Sequence, residues 1–303
     1  MKKAIITGAT GMIGNALLHK CIENNVEVLA IVRSNSKNLY RVPTSPLVHI
    51  CECNLDKLKI QDFQNYGNDW DVFYHFAWNF TSSQYRDDVK HQYLNIGYTL
   101  DAAELAGLLG CTKFIGAGSQ AEFGPMDVKK ISPDMPSNPV TAYGIAKLAS
   151  EKMSFLLAKQ KEMNCIWARI FSVYGKYDLP TTMISESISK MLRGEKMSYT
   201  TATQLWDYLY SEEAGEAFYL MGQKATGHKV YCVGSGIGKP LYSYIEQMKN
   251  IINPKLEIGI GEIKTQNIPL NLCADITSLQ NDTGFYPKIK FEEGINRIIQ
   301  SYL

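Results

Sequence analysis

A serine, a tyrosine and a lysine stand at spacings that suit proton transfer. The serine is Ser119, in KFIGAGSQAEFGP, where an apolar run ends in small residues. A core strand favours β-branched bulk, and a bare turn needs no hydroxyl, so a hydroxyl at this place asks for a use. Tyr143 and Lys147 follow about two dozen residues later, in PVTAYGIAK. On a helix, this Y-x-x-x-K spacing puts both side chains on one face, one turn apart. A phenol with a pKa near 10 is a poor acid or base at neutral pH. A neighbouring ammonium stabilises phenolate and brings it toward the working range. Ser119 would then hold a carbonyl or alcohol oxygen, with Gly116, Ala117 and Gly118 leaving room for a cofactor ring. Such a tyrosine–lysine pair is frequent by chance, and serines commonly cap turns, so position in the chain carries the weight.

The chain opens with KAIITGATGMIGNALLHKCIEN. Gly8, Gly11 and Gly14 lie between a strand and a helix, where glycines allow a tight turn and close approach of the backbone to a pyrophosphate. The helix N-terminus adds amide donors and the positive end of its dipole. At the end of the second strand, a carboxylate would accept the ribose 2′-hydroxyl of NAD, whereas an arginine suits the 2′-phosphate of NADP. Here the strand runs into Arg33-Ser34-Asn35-Ser36-Lys37, with no acid. Arg33 offers a planar fork to a phosphate. NADP is therefore favoured as cofactor, with NAD the alternative.

These residues need a scaffold, and the pattern supplies one. The runs KAIIT, VEVLAIV, LVHICE, DVFYHFA, KFIGAG and CIWARIF read as strands, with helical stretches around 12–24, 86–109 and 142–161. Consecutive apolar strands alternating with helices indicate an α/β fold, a doubly wound parallel sheet of Rossmann type. A dinucleotide-binding domain is expected over residues 1–175, with KVYCVGSG near 228–236 returning to its sheet. Residues 176–303 would form a smaller, interleaved substrate-binding domain. A chain of 303 residues, with 45 % apolar residues and a net charge of +1, carries no field that points to nucleic acid or a membrane. No run reaches the length of a membrane span, and MKKAIITGATGMIG lacks a cleavage site, so a cytoplasmic enzyme is expected. The seven cysteines are scattered and odd in number, and Cys51 and Cys53 have no second Cys/His pair, so no metal is expected. His75, inside a strand, reads as a core residue rather than a base.

The motifs together resemble the extended short-chain dehydrogenase/reductase superfamily, the NAD-dependent epimerase/dehydratase family that acts mainly on nucleotide sugars. TGATGMIG matches its dinucleotide loop, YHFAW its fourth strand, LNIGYTL its following helix, and GSQAEFG and YGIAK its catalytic segments. RIFSVYG, TQLWDYLYSEE and FYPKIKFEEGI extend the resemblance over most of the chain. It implies catalytic roles for Ser119, Tyr143 and Lys147. It implies cofactor contacts from Gly8, Thr10, Gly11, Met12, Ile13, Gly14, Arg33, Asn54, Leu55, Phe76, Ala77, Trp78, Asn95 and Phe171, besides Tyr143 and Lys147. Substrate contacts would come from Trp78, Ser119, Gln120, Tyr143, Ser172, Gln204 and Trp206. Many relatives have Asn where Ser172 stands and a diphosphate-gripping Arg where Trp206 stands. Arg193 or Lys196 are candidates for the lost charge.

Dehydratases of this family carry Asp-Glu directly after the catalytic hydroxyl. Gln120 and Ala121 occupy those positions here, and a turn would direct Glu122 elsewhere. The resemblance then leaves two enzymatic readings. The absence of an acid after the second strand tips the choice toward NADPH-dependent reduction of the C4 ketone of a nucleotide-linked 4-keto-deoxysugar. An NAD-dependent nucleotide-sugar 4-epimerase is the alternative, and a non-catalytic dinucleotide-sensing regulator is a third reading from another class. The helix from 142 is apolar on more than one face, and the family pairs this helix with the preceding long one in homodimers, so a homodimer is expected.

Overall fold

The structure, a computed structural model, describes residues 1–264 and 271–302. Six strands follow the apolar runs in order: β1 (Lys3–Thr7), β2 (Glu27–Val32), β3 (Val48–Glu52), β4 (Val72–His75), β5 (Lys113–Ser119) and β6 (Asn164–Ile170). With a seventh strand, His228–Val233, they form one parallel sheet in the order seventh–β6–β5–β4–β1–β2–β3. Strand direction and order are those of a doubly wound sheet. The order reverses between β1 and β4, where Thr7 pairs with His75. In such sheets the crevice outside the strands' carboxyl ends at this point receives the ligand.

Helices α1 (Met12–Glu23), α2 (Val89–Leu108) and α3 (Ala142–Gln160) supply the crossovers. Side chains fix where two of them begin: Asp88 accepts from the His91 amide and Thr141 from the Gly144 amide. Two apolar layers cover the sheet. One gathers Ile6, Leu17, Val28 and Phe218, the other Ile5, Phe63, Phe73 and Phe114. Burying each such side chain contributes about 1.5–3 kcal/mol, so the strand ends are rigid platforms for whatever they carry.

The second half contributes α4 (Met183–Leu192), α5 (Ser211–Lys224), α6 (Leu241–Ile252), α7 (Thr277–Thr283) and α8 (Phe291–Gln300). Helices α4, α6 and α8 share a core of Ile188, Ile245 and Ile295. Helix α5 instead packs on α1 so closely that a Cβ on Gly215 would lie 2.7 Å from the Ala16 carbonyl carbon. Among the described residues no helix is long and apolar enough to cross a membrane.

Candidate active site

The first turn after β1 is built for something small and anionic. Gly8 has φ of +75° and its position leaves no space for a side chain, since a Cβ there would meet the Ala77 amide nitrogen at 2.9 Å. A Cβ on Gly14 would sit 2.3 Å from the Gly8 carbonyl oxygen. Gly11 precedes α1 in extended conformation, and no side chain caps the helix. The first amides of α1 therefore stay available to a ligand. Thr10 lies in the turn, and Met12 and Ile13 open α1. This cradle fits the pyrophosphate of a dinucleotide.

Along the rim, Arg33 is exposed just past the end of β2. The Asn54 side chain accepts the Ser34 amide at 3.3 Å, and Leu55 is buried beneath. Two groups that local sequence reading missed join them. The Glu52 carboxylate, at the end of β3, accepts the Asn35 amide at 3.0 Å. Arg41 donates from Nη1 to the Thr10 carbonyl at 3.2 Å and lies 4.4 Å over the Tyr177 ring.

Ser119, Tyr143 and Lys147 converge at the carboxyl end of β5. Ser119 is buried, and its Oγ accepts the Ala121 amide at 3.2 Å. Tyr143 opens α3, with its amide bound to the Arg86 carbonyl at 2.8 Å and the Arg86 guanidinium 5.1 Å over its ring. Burial raises the Tyr143 phenol above its ordinary value, while the Ser119 hydroxyl and the Arg86 charge pull it down. Lys147, one turn on, is 4 % exposed and donates to the Ala117 carbonyl at 2.6 Å. Its ammonium stands 3.5 Å from the centroid of the Trp78 ring. Burial lowers its pKa, against the opposing charge of Glu122. Trp78 in turn meets Tyr143 edge-on at 5.9 Å.

The Trp78 wall is itself held from behind. Its Nε1 donates to Gln92 Oε1 at 2.9 Å, and Gln92 donates to the Phe80 and Tyr85 carbonyls. Asn95 grips both the amide and the carbonyl of Asn79, at 2.8 and 3.0 Å. Phe76 and Ala77 connect this wall to the glycine turn. His75 is core: its two nitrogens face the hydroxyls of Thr7 and Thr99, and burial pushes it down to about 3.

The remaining residues form a second group. Ser172 begins a short strand, Ser172–Tyr174, paired with Tyr208–Tyr210. Trp206 pairs with Lys239. Phe171 packs with Phe123 and Trp206 in one apolar cluster, which connects this group to the turn after Ser119. The Gln204 Oε1 and Trp206 Nε1 atoms are buried without hydrogen-bond partners among the described residues. Gln120 lies next to Ser119 in the 3-10 turn Gln120–Glu122. Arg193 and Lys196 are occupied elsewhere, paired with Glu195 at 2.6 Å and Glu262 at 2.5 Å.

One feature of β5 differs from the sequence reading. Gly116 and Gly118 face protein, not a cofactor ring: a Cβ on either would strike the Trp167 side chain, at 2.2 and 2.3 Å. The turn after β5 directs Glu122 away as the sequence indicates: it folds inward, wholly buried, and meets Arg169 of β6 at 2.9 Å.

A family model, the NAD dependent epimerase/dehydratase family, matches residues 4–234. The chain belongs to that family. It is accordingly an enzyme of NAD(P)-dependent type. Among its relatives is a putative UDP-glucose 4-epimerase of Methanocaldococcus jannaschii, 23% identical, with 97% of this chain and 96% of the relative covered. The fold matches the crystal structure of UDP-glucose 4-epimerase from Thermotoga maritima at a TM-score of 0.88, with 21% identity over 99% of this chain and 98% of that one. It also matches UDP-glucuronic acid 4-epimerase from Bacillus cereus in complex with NAD, at a TM-score of 0.84 and 19% identity, covering 99% and 100% of the two chains.

Proposed function

We propose that the protein is a nucleotide-sugar 4-epimerase that works with a bound NAD(P). The carrying observation is the meeting of Ser119, Tyr143 and Lys147 beside the glycine cradle, in a chain whose full-length relatives include proteins described as 4-epimerases. Epimerase relatives outweigh the reductase favoured from sequence. In this reading Tyr143 takes the proton of the C4 hydroxyl as the alcohol is oxidised, and returns one as the ketone is reduced. Lys147, 5.8 Å from the Tyr143 ring, would stabilise the phenolate and bind the nicotinamide ribose. Ser119 donates a hydrogen bond to the C4 oxygen and polarises it. When bound, the dinucleotide supplies a hydride acceptor and donor. Gln204 and Trp206, whose buried polar atoms have no partner among the described residues, would receive the nucleotide, and Ser172 the sugar.

A second reading, NADPH-dependent reduction of a 4-keto sugar, draws on the basic rim. Arg33 follows β2 where an acid would favour NAD, and Arg41 stands beside the phosphate loop. Denaturing the purified protein and identifying the dinucleotide released separates the two. Near-stoichiometric NAD⁺ is expected. Little retained cofactor, with NADPH bound more tightly than NADH, would replace the epimerase by the reductase. Tight dinucleotide binding without turnover of any nucleotide sugar would favour the sensor.

A homodimer belongs to the same proposal. Tyr93 and Leu108 on α2, with Ile145 and Leu156 on α3, are large, apolar and exposed. Pairing α2 and α3 with their copies would cover them. Light scattering should give twice the 34.1 kDa chain mass. A Tyr93→Asp/Leu156→Asp variant should run as a monomer, and a monomeric wild type would refute the dimer.

A further inference from the structure

Beneath the candidate catalytic serine runs a buried chain of ions that the proposed chemistry does not use. Glu122 and Glu151 are fully buried, and Arg169 between them is 2 % exposed. Arg169 donates from Nε to Glu122 at 2.9 Å and from Nη2 to Glu151 at 2.7 Å. Glu122 does more than balance charge. Its Oε1 accepts the Ser119 amide at 2.7 Å and the Trp167 indole at 3.0 Å.

The parts fit only as a set. Gly118 pairs with Arg169 and Gly116 with Trp167 across β5 and β6. A Cβ on Gly118 would meet both Trp167 and, at 2.6 Å, Glu122 Oε1. Glycines in β5 thus make space for the indole and the carboxylate, and the carboxylate accepts from the indole, the guanidinium Nε and the backbone of Ser119. The chain of contacts ties together the three elements around the site: β5 with Ser119, β6 with Arg169, and α3, which carries Glu151 one turn beyond Lys147. Burying three ions is a poor way to gain stability, because desolvation offsets most of the attraction. Geometry is what such a network secures.

We propose that Glu122 is a positioning residue: through the Ser119 amide and Arg169 it fixes where the Ser119 hydroxyl stands relative to Tyr143 and Lys147. The proposal rests on the catalytic role given to Ser119 above. The groups facing Glu122 are Arg169 and Trp167 from β6, Glu151 and Lys147 from α3, and Ser119 from its own turn.

The test is Glu122→Gln. Glutamine retains one acceptor oxygen, which the guanidinium keeps, so the Ser119 amide loses its partner. With dinucleotide binding retained and the melting temperature lower by a few degrees, as an orphaned buried donor requires, kcat on UDP-glucose/UDP-galactose interconversion should fall roughly 10–100-fold with KM little changed. In a Ser119→Ala background the same substitution should add almost nothing, because it acts through that hydroxyl. Glu122→Asp, which keeps the charge for Arg169, should fall between. Independently of any substrate, hydrogen exchange at the Ser119 amide should accelerate roughly tenfold in Glu122→Gln, with the rest of β5 unchanged. An equal loss in both backgrounds, an unaltered kcat, or unaltered exchange at Ser119 overturns the proposal. If the wild type turns over no nucleotide sugar, the functional reading fails, and the exchange measurement alone still decides this one.

Discussion

Tyr143→Phe is expected to lower turnover by roughly 10²–10⁴-fold while dinucleotide binding and thermal stability stay close to wild type. The substitution removes one atom. The ring keeps its edge contact with Trp78 and its place under Arg86. The backbone amide keeps its bond to the Arg86 carbonyl, so the start of α3 does not move. What disappears is the only phenol that joins Ser119 and Lys147 in the proposed proton transfer. Burial already holds that phenol above its ordinary pKa, so its loss removes no solvent-facing charge at neutral pH. Steady-state assays on nucleotide sugars, run beside cofactor titration and melting, separate lost chemistry from lost fold. Wild-type turnover in the variant would move the proton transfer to another group.

Legibility in the sequence followed how local each constraint is. The cradle is readable because Gly8, Gly11 and Gly14 answer to backbone geometry within one turn. Tyr143 and Lys147 are readable because helical spacing alone puts them on one face. The six strands could be read from apolar runs for the same reason. Facing direction across the sheet is another matter. Gly116 and Gly118 were read as clearance for a cofactor ring, yet they clear Trp167, which arrives from β6 some fifty residues later. Arg86, Gln92 and Arg41 act through contacts between segments far apart in sequence, and no short pattern announces them. Lys196 looked free because its partner, Glu262, arrives only with the fold, whereas the partner of Arg193, Glu195, stood two residues away in the sequence. One missed residue did leave a trace. Ser119-Gln-Ala-Glu122 has the S-x-x-E form of a capping box, and the structure closes it, with the Glu122 side chain bound to the Ser119 amide. That pattern alone places the carboxylate under the serine, though not against Arg169.

Lys147→Met should abolish most turnover and, in the cofactor-free protein, raise the melting temperature by a few degrees. Both follow from one buried ammonium. The lysine donates to the Ala117 carbonyl and lies on the Trp78 face, interactions worth about 1–3 kcal/mol each. Taking an ammonium out of water costs several kcal/mol. Its pKa falls below the ordinary 10.5, so burial outweighs the compensation from Glu122. Methionine has similar length and no charge to desolvate, and its thioether suits the indole. The pH dependence carries the sign. Between the folded and unfolded values the unfolded chain holds a proton on Lys147 that the folded chain does not. Stability from this group therefore rises with pH across that interval, up to about 10.5. Subtracting the melting curves of Lys147→Met from those of the wild type, pH by pH, reads this group above neutrality; at lower pH the raised Glu122 carboxyl, which feels the Lys147 charge, acts with the opposite sign. The stability advantage of the variant should be greatest near neutrality and shrink as the solution becomes alkaline. A variant that melts lower than wild type at pH 7 would mean that Lys147 is part of what holds the fold together. One that melts higher but still turns over sugar would mean that the ammonium is not needed for the chemistry. The expected pairing, a more stable protein with little activity, identifies the lysine as a group that the fold tolerates for the sake of the reaction.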